Sequence, residues 1–395
     1  MKILVVAPQP FFSPRGTPLS VYYRTWVSSL LGHQIDLLTY GDGLDVDIPK
    51  LNIIRIPKIP FLGHVKVGPS LPKLFLDIFV FLAMGILLLC SNYEVVDAHE
   101  EAAFITLFFR PFFNFSFIYD MHSSLVQQMS NFKFTQSRII IGIFRKLEEV
   151  CLRVADCVIT ICPDLYHYVN ERIPNPKRNF LVENSIFDDV RLKGETIEQG
   201  RSGYLSRYSG SGGRRVVYAG TLETYQGIDM LIQGFATVAQ CLDDVELIIV
   251  GGSTEQVASY RNYAERYGLT RKVWFTGAVS KQEASRWIQR ADILVSPRCL
   301  GTNTPLKIYE LMASGRPLVA TRIHSHTQVL DEEAAFLVEP NSDDLAEGIV
   351  VALTNPELAK AKASHAQEIY MRSYSKETYI QKMASIFNQL KSCAE

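Results

Sequence analysis

Charge of one sign is what this sequence lacks most. Lys and Arg number 40 and Asp and Glu 41, a formal net charge of -1 over 395 residues. Without a positive field to hold a polyanion, non-specific nucleic-acid binding is excluded. Cysteine is scarce too. The 7 cysteines, Cys90, Cys151, Cys157, Cys162, Cys241 and Cys299 among them, are scattered, and none forms a Cys-x-x-Cys pair. That removes a disulfide framework and a zinc signature, and it points to a reducing compartment. In the second half no Asp-x-Asp pair closes a strand-like run, so no metal is expected, and Gly251-Gly252 lacks the full dinucleotide fingerprint, so no cofactor is expected either. Charged residues reach 21% against 47% hydrophobic, which excludes wholesale disorder. At roughly 100–200 residues per domain the length allows two or three.

One long apolar run is present, Leu74 to Cys90, uncharged but for Asp77. It falls just short of the roughly 20 residues that span a bilayer and leads into the strand-like Tyr93-Glu94-Val95-Val96-Asp97. It reads as a buried helix of an α/β alternation; a helix partly exposed to a membrane surface is the alternative. The opening Met1-Lys2-Ile3-Leu4-Val5-Val6-Ala7-Pro8 reads as a buried first strand rather than a signal-peptide core. The expected location is the cytoplasm, with peripheral contact at the inner face of the plasma membrane as an added expectation. Arg138–Val154 supports that contact, since it combines apolar positions with Arg138, Arg145, Lys146 and Arg153 like a basic amphipathic helix.

What is there is a repeated strand–loop–helix pattern. Strands are expected at Lys2–Ala7, Gln34–Thr39, Val95–His99, Phe115–Asp120, Cys157–Ile161 and Phe180–Glu183. Helices are expected at Leu19–Leu31, Leu74–Cys90, Glu101–Phe109, Arg138–Val154 and Asp164–Glu171. Arg201–Gly213, rich in Gly and Ser, breaks the pattern. It then restarts, with strands at Arg215–Ala219, Glu246–Val250, Val273–Thr276, Ile293–Ser296, Pro317–Ala320 and Ala335–Val338, and a last helix at Lys376–Lys391. Continuous apolar strands signal parallel sheets covered on both faces, hence two doubly wound α/β domains. The expected division is 1–190, a linker at 191–213, a second domain at 214–370, and a C-terminal helix at 371–395 packing back on the first. Ligands in such sheets bind beyond the carboxyl ends of the strands, and a cleft between two facing sheets suits a two-substrate enzyme.

The most informative stretch is Ser296–Thr321, SPRCLGTNTPLKIYELMASGRPLVAT. A strand ends at Ser296-Pro297, a polar loop follows, and a helix is expected from Pro305 with Thr304 as its N-cap. The free N–H groups of that helix end favour an anion. Lys307 in the first turn is unfavourable there unless an anion meets it. Glu310 shares its face. The pair suits a nucleoside diphosphate, with the carboxylate accepting from ribose; a plain Lys307–Glu310 surface ion pair is the competing reading.

This segment resembles the signature helix of family-four retaining glycosyltransferases, whose fold is the two-domain GT-B architecture of Rossmann-like units. Val217-Tyr218-Ala219-Gly220-Thr221-Leu222 with Gly227-Ile228-Asp229, Leu247–Gly252 and Val273–Gly277 are similar to the family's successive nucleotide-domain strands. Asp97-Ala98-His99 and Tyr119-Asp120-Met121-His122 match strand ends of its acceptor domain. The resemblance implies a donor site of Gly16, Gly220, Thr221, Gly277, Arg298, Thr302, Asn303, Thr304, Pro305, Leu306, Lys307 and Glu310. It implies catalytic roles for His122, Lys307 and Glu310, and an acceptor side with Arg15 and His99. It also implies a UDP- or GDP-sugar donor, a glycan or lipid-linked acceptor, retention of configuration and no metal. Arg15-Gly16-Thr17-Pro18 resembles the family's flexible glycine loop. His324 and His326 are spaced like metal ligands, but no third ligand accompanies them.

The sequence departs from the family at three places. The first of its two glutamates would fall at Thr302, and its diphosphate-binding Arg and Lys at Thr221 and Gln226. Lys307 is the best-placed replacement cation, with Arg298 and Arg322 behind it. A non-catalytic binding protein on the same fold is the rival that these departures raise.

Overall fold

The computed structural model describes residues 1–13, 16–59, 70–124, 137–184, 190, 192–193, 213–301 and 303–394. The chain forms two compact units. One comprises Met1–Asn184, Val190–Glu195 and Tyr379–Glu395; the other comprises Ser185–Asp189 and Thr196–Thr378.

The first unit is built on β1 (Lys2–Ala7), α1 (Gly16–Leu30), β2 (Gln34–Thr39), β3 (Leu51–Arg55), α2 (Leu71–Cys90), β4 (Val95–His99), α3 (Ala102–Phe109), β5 (Ser116–Met121), α4 (Arg138–Val154), β6 (Cys157–Thr160), α5 (Pro163–Asn170) and β7 (Asn179–Leu181). Its seven strands lie in the order β3-β2-β1-β4-β5-β6-β7, and every pairing is parallel. The apolar runs explain this. β4 and most of β1, β5 and β6 are buried, so both sheet faces need cover. β3 is an edge strand missed in the sequence, because LNIIR is only half-buried and lacks a continuous apolar run. The strand expected at Phe180–Glu183 runs over Asn179–Leu181.

The second unit repeats the plan with β8 (Arg214–Ala219), α6 (Ile228–Cys241), β9 (Val245–Val250), α7 (Thr254–Arg266), β10 (Val273–Gly277), α8 (Lys281–Gln289), β11 (Ile293–Ser296), α9 (Leu306–Ala313), β12 (Leu318–Thr321), α10 (His324–Thr327), β13 (Phe336–Val338), α11 (Ser342–Thr354) and α12 (Pro356–Ser373). Its parallel sheet has the order β10-β9-β8-β11-β12-β13, with one apolar layer centred on Phe235 and Ile249 and another on Trp287 and Met312. The last helix, α13 (Lys376–Ala394), follows. In each sheet the strand order reverses beside the first strand, between β1 and β4 and between β8 and β11. Those carboxyl edges are where an open α/β sheet receives ligands.

Two expectations change at the level of single elements. Leu74–Cys90 is not a buried helix. Leu76, Val80, Met84 and Leu88 of α2 are buried, while Leu74, Ile78, Leu82 and Ile86 are about half exposed or more. Gly16 lies inside α1 as its first residue, and a Cβ there would meet nothing within 4 Å.

Candidate active site

In the second unit, the loop after β8 meets the loop after β11 at a glycine. Gly227 has φ +68°, and a Cβ on it would lie 2.2 Å from the Pro297 carbonyl oxygen. Only glycine allows that approach. The Cys299 N–H also donates to the Tyr225 carbonyl at 3.0 Å. This packing brings the buried Gln226 next to Lys307, whose Nζ donates to Gln226 Oε1 at 3.0 Å. The same ammonium stands 4.3 Å from the centroid of the Tyr218 ring. Tyr218 in turn donates its hydroxyl to the Thr221 carbonyl at 2.6 Å. A Cβ on Gly220 would come within 2.9 Å of the Tyr218 hydroxyl and 3.5 Å of Lys307 Nζ, so the backbone after β8 runs close against the ammonium.

Lys307 lies in the first turn of α9. That helix begins at Leu306, one residue later than the sequence suggested. Pro305, not Thr304, is its N-cap, and no side chain caps it. Proline at the cap with extended backbone leaves the first-turn N–H groups without a side-chain acceptor. Thr304 Oγ1 is buried without a hydrogen-bond partner among the described residues. Lys307 forms no ion pair with Glu310 or any other carboxylate among the described residues. Burial first, and then the Arg298 guanidinium, push its ammonium down from the ordinary lysine value to about 7. Arg298 donates Nε to the Leu300 carbonyl at 2.6 Å, and its guanidinium lies 5.2 Å from the centre of the Tyr225 ring. The arrangement is a cationic helix start short of negative charge.

The structure thus brings together Gly220, Thr221, Arg298, Thr304, Pro305, Leu306 and Lys307. Asn303 lies in the same loop, and Glu310 lies one turn into α9. Gly277 closes β10 with φ +69°, and its carbonyl accepts from Gly251. Thr302 and Arg15 lie outside the described residues. Arg322 is not a reserve cation, because it pairs with Glu332 and with Glu339 at 3.3 Å on an exposed edge. The histidine pair is not a metal site either. His326 is fully buried between Ser296 Oγ at 3.1 Å and Thr321 Oγ1 at 3.2 Å, a packing role that ties β11 to β12.

The first unit holds a second cluster at the carboxyl ends of β4 and β5. His99 Nδ1 lies 2.9 Å from His122 Nε2, and His122 Nε2 lies 3.4 Å from Asp120 Oδ1. Asp120 Oδ2 accepts from Arg24 Nε at 2.7 Å. Arg24 also donates to the Tyr379 hydroxyl at 2.6 Å and the Val182 carbonyl at 2.8 Å. All of these side chains are buried. Burial opposes ionisation of Asp120, but Arg24 and the two imidazoles hold it down to about 2. Burial pushes His99 down to about 3 and lowers His122 as well, so both rings are neutral near pH 7. Burial and the neighbouring Asp120 raise Asp97 well above the carboxylate range.

His99, Asp120 and His122 place one ligand atom each within 4.8 Å of one another, the one set of potential metal ligands among the described residues. Arg24 already neutralises this carboxylate. A divalent ion would face a buried guanidinium across it, so the donor set fits two neutral imidazoles better than a metal. The sequence pointed to His99 and His122 but missed Arg24 and Tyr379. A signal existed for Arg24, the lone charge in the run Val21-Tyr22-Tyr23-Arg24-Thr25-Trp26-Val27. Tyr379 carried none.

Two doubly wound parallel sheets, each with a switch point at the carboxyl ends of its strands, define the fold class, and comparison with known proteins gives the family. Residues 213–355 match the family described as glycosyl transferases, group 1. The phosphatidyl-myo-inositol mannosyltransferase of Mycobacterium tuberculosis (strain H37Rv) is 30% identical over 368 residues, 90% of this chain and 88% of that protein. The protein of the same name from Mycobacterium leprae is 30% identical over 164 residues, 40% of this chain and 42% of that protein. Among solved structures, sucrose-phosphate synthase from Thermosynechococcus elongatus is similar in fold. Its TM-score is 0.73 at 20% identity, over 99% of both chains. The Anabaena protein HepE in complex with UDP gives 0.71 at 17%, over 98% of this chain and 100% of that one. The chain belongs to the group 1 glycosyl transferases, and its two units have the GT-B architecture.

Proposed function

We propose that this glycosyltransferase moves a hexosyl group from a UDP- or GDP-sugar to a glycan or lipid-linked acceptor, with retention and without a metal ion. The observation that carries this reading is Lys307, an ammonium at an uncapped helix start with no carboxylate partner among the described residues. In the reaction, the bond from the sugar's anomeric carbon to the diphosphate breaks and the bond to the acceptor oxygen forms on the same face. The acceptor's hydroxyl proton passes to the departing phosphate oxygen. Lys307 and the α9 N–H groups stabilise the negative charge that builds on the diphosphate, as fixed dipoles and charges do in a site poor in water. Glu310 accepts from the ribose hydroxyls. The mannosyltransferase name of the M. tuberculosis relative and the UDP bound to HepE support a nucleotide-sugar donor. We place the protein in the cytoplasm, in peripheral contact with the membrane.

Two outcomes test this reading. Screening nucleoside diphosphates and nucleotide sugars by thermal shift should give stabilisation by one of them, and turnover of that donor should persist in chelator. Loss of turnover in chelator, restored by magnesium or manganese, would count against the metal-free reaction. The second outcome follows from the lowered pKa of Lys307. Diphosphate binds the protonated ammonium and raises its pKa, so above about pH 7 binding must take up a proton. Affinity should fall as pH rises from about 7 towards 9. Calorimetry in two buffers of different ionisation enthalpy measures the proton directly, and binding without proton uptake at the upper pH would remove Lys307 from the site.

A further inference from the structure

The long apolar helix α2 satisfies two environments at once. Residues two apart on a helix point about 200° apart, so two rows at i, i+4 spacing, offset by two, lie on opposite faces. The row Leu76, Val80, Met84, Leu88 is buried in the core of the first unit. The row Leu74, Ile78, Leu82, Ile86 is exposed, with Phe75 and Leu89 beside it. The two charges near its start are turned to the protein: Asp77 accepts from the Tyr40 hydroxyl at 2.6 Å, and Lys73 pairs with Glu101. From Leu74 to Leu89 the exposed positions therefore carry no charge.

The patch continues over two neighbouring helices. Phe81 of α2 meets Phe108 of α3 at 5.0 Å between ring centres, and Phe108 meets Phe112 at 5.9 Å. Phe104 of α3 meets Phe144 of α4 at 5.9 Å. Phe108 is 55% exposed and Phe112 71%. On α4, Ile139 and Ile143 are exposed along one face, and Lys146 and Arg153 continue the same face at helical spacing. Arg145 is exposed beside them, and Glu149, half-buried, sits 3.9 Å from Lys146. Contiguous apolar area on this scale marks an interaction surface, and a basic border selects an anionic partner.

We infer that α2 lies flat in the interface of an anionic bilayer, inserting its Leu74–Leu89 face, with Phe108, Phe112 and the start of α4 extending the inserted surface and Arg145, Lys146 and Arg153 at the headgroups. α2 is long and apolar enough to cross a membrane, but crossing would pull Val80 and Met84 out of the core. An in-plane seat immerses one face by about 5–10 Å and leaves the other on the sheet. This inference rests on the peripheral contact proposed above and not on the donor assignment.

The full chain is tested by co-sedimentation with phosphatidylcholine–phosphatidylglycerol vesicles and with phosphatidylcholine alone, at low and high salt. Binding is expected on the anionic vesicles and weaker in salt. The double variant Leu82→Asp/Ile86→Asp should bind on the order of tenfold or more weakly, with an unchanged melting midpoint because both positions face outward. Arg145→Glu/Lys146→Glu should weaken binding by a similar factor. A tryptophan introduced as Leu82→Trp should be quenched by lipids brominated on the acyl chains. If the wild type binds while the aspartate variant binds equally and Leu82→Trp is not quenched, the flat seat is overturned and peripheral contact survives by another route. Failure of the wild type to bind any vesicle overturns both. Self-association in the absence of lipid that the aspartate variant abolishes would assign the face to a second copy and likewise overturn the inference.

Discussion

Lys307→Ala should bind nucleoside diphosphate a hundredfold or more weakly than the wild type and lose donor turnover in parallel, with its fold intact. The ammonium meets Gln226 and the Tyr218 ring and no carboxylate among the described residues, so it is available to a ligand's charge. Removing one partner of a buried ion pair costs about 3–5 kcal/mol, because the remaining charge is left unpaired. Glu310→Gln separates the two halves of the ligand. It keeps the shape of the side chain and weakens charge-assisted hydrogen bonds to ribose, each worth about 1.5–3 kcal/mol. Nucleotide binding should suffer while inorganic diphosphate binds as before. Calorimetric titration of both variants with both ligands decides the assignment, and unchanged affinities throughout would sink it.

The largest stability effect is expected at Arg24. Arg24→Met leaves Asp120 fully buried without its guanidinium, so that it is charged and unpaired or must take up a proton, and it removes donors from Val182 and Tyr379. Breaking such a pair from one side costs about 3–5 kcal/mol and should lower the melting midpoint by roughly 10 °C. Adding Asp120→Asn to Arg24→Met removes the uncompensated charge and should recover much of the loss. Thermal unfolding of the two variants gives the comparison. A single variant within ~1 kcal/mol of the wild type, or a double variant no more stable than the single, would show that the pair does not hold this part of the unit together.

Most strands were legible because parallel strands covered on both faces must be apolar throughout, and β9, entirely buried as VELIIV, shows why a continuous run is a strong signal. β3 was not legible because an edge strand meets solvent and keeps polar residues. The strand, the polar loop and the helix that carries Lys307 after β11 were legible, since an apolar run ends at Ser296-Pro297 and Pro305 precedes the helix Leu306–Ala313. Its partners were not. Gln226 stood out in the sequence as a missing cation, and folding turns it into the acceptor that positions Lys307. Arg322 looked like a second cation, and the exposed glutamates beside it take that role away.

By itself, the sequence determined what short-range chemistry can determine: two runs of strand–helix alternation, the break between them, and a helix start that carries Lys307 in its first turn. It also carried the apolar character of α2, since composition alone records how much hydrophobic surface a helix has. It did not say which half of that surface the protein covers. Only the tertiary structure decided this, by packing Leu76, Val80, Met84 and Leu88 onto the sheet and leaving the opposite row outside. The same holds for Arg24, whose meaning lies in Asp120, 96 positions away, and Tyr379, 355 away. Propensity and spacing act over one or two turns of chain, whereas the pairing of buried charges is settled only when distant segments exclude water together.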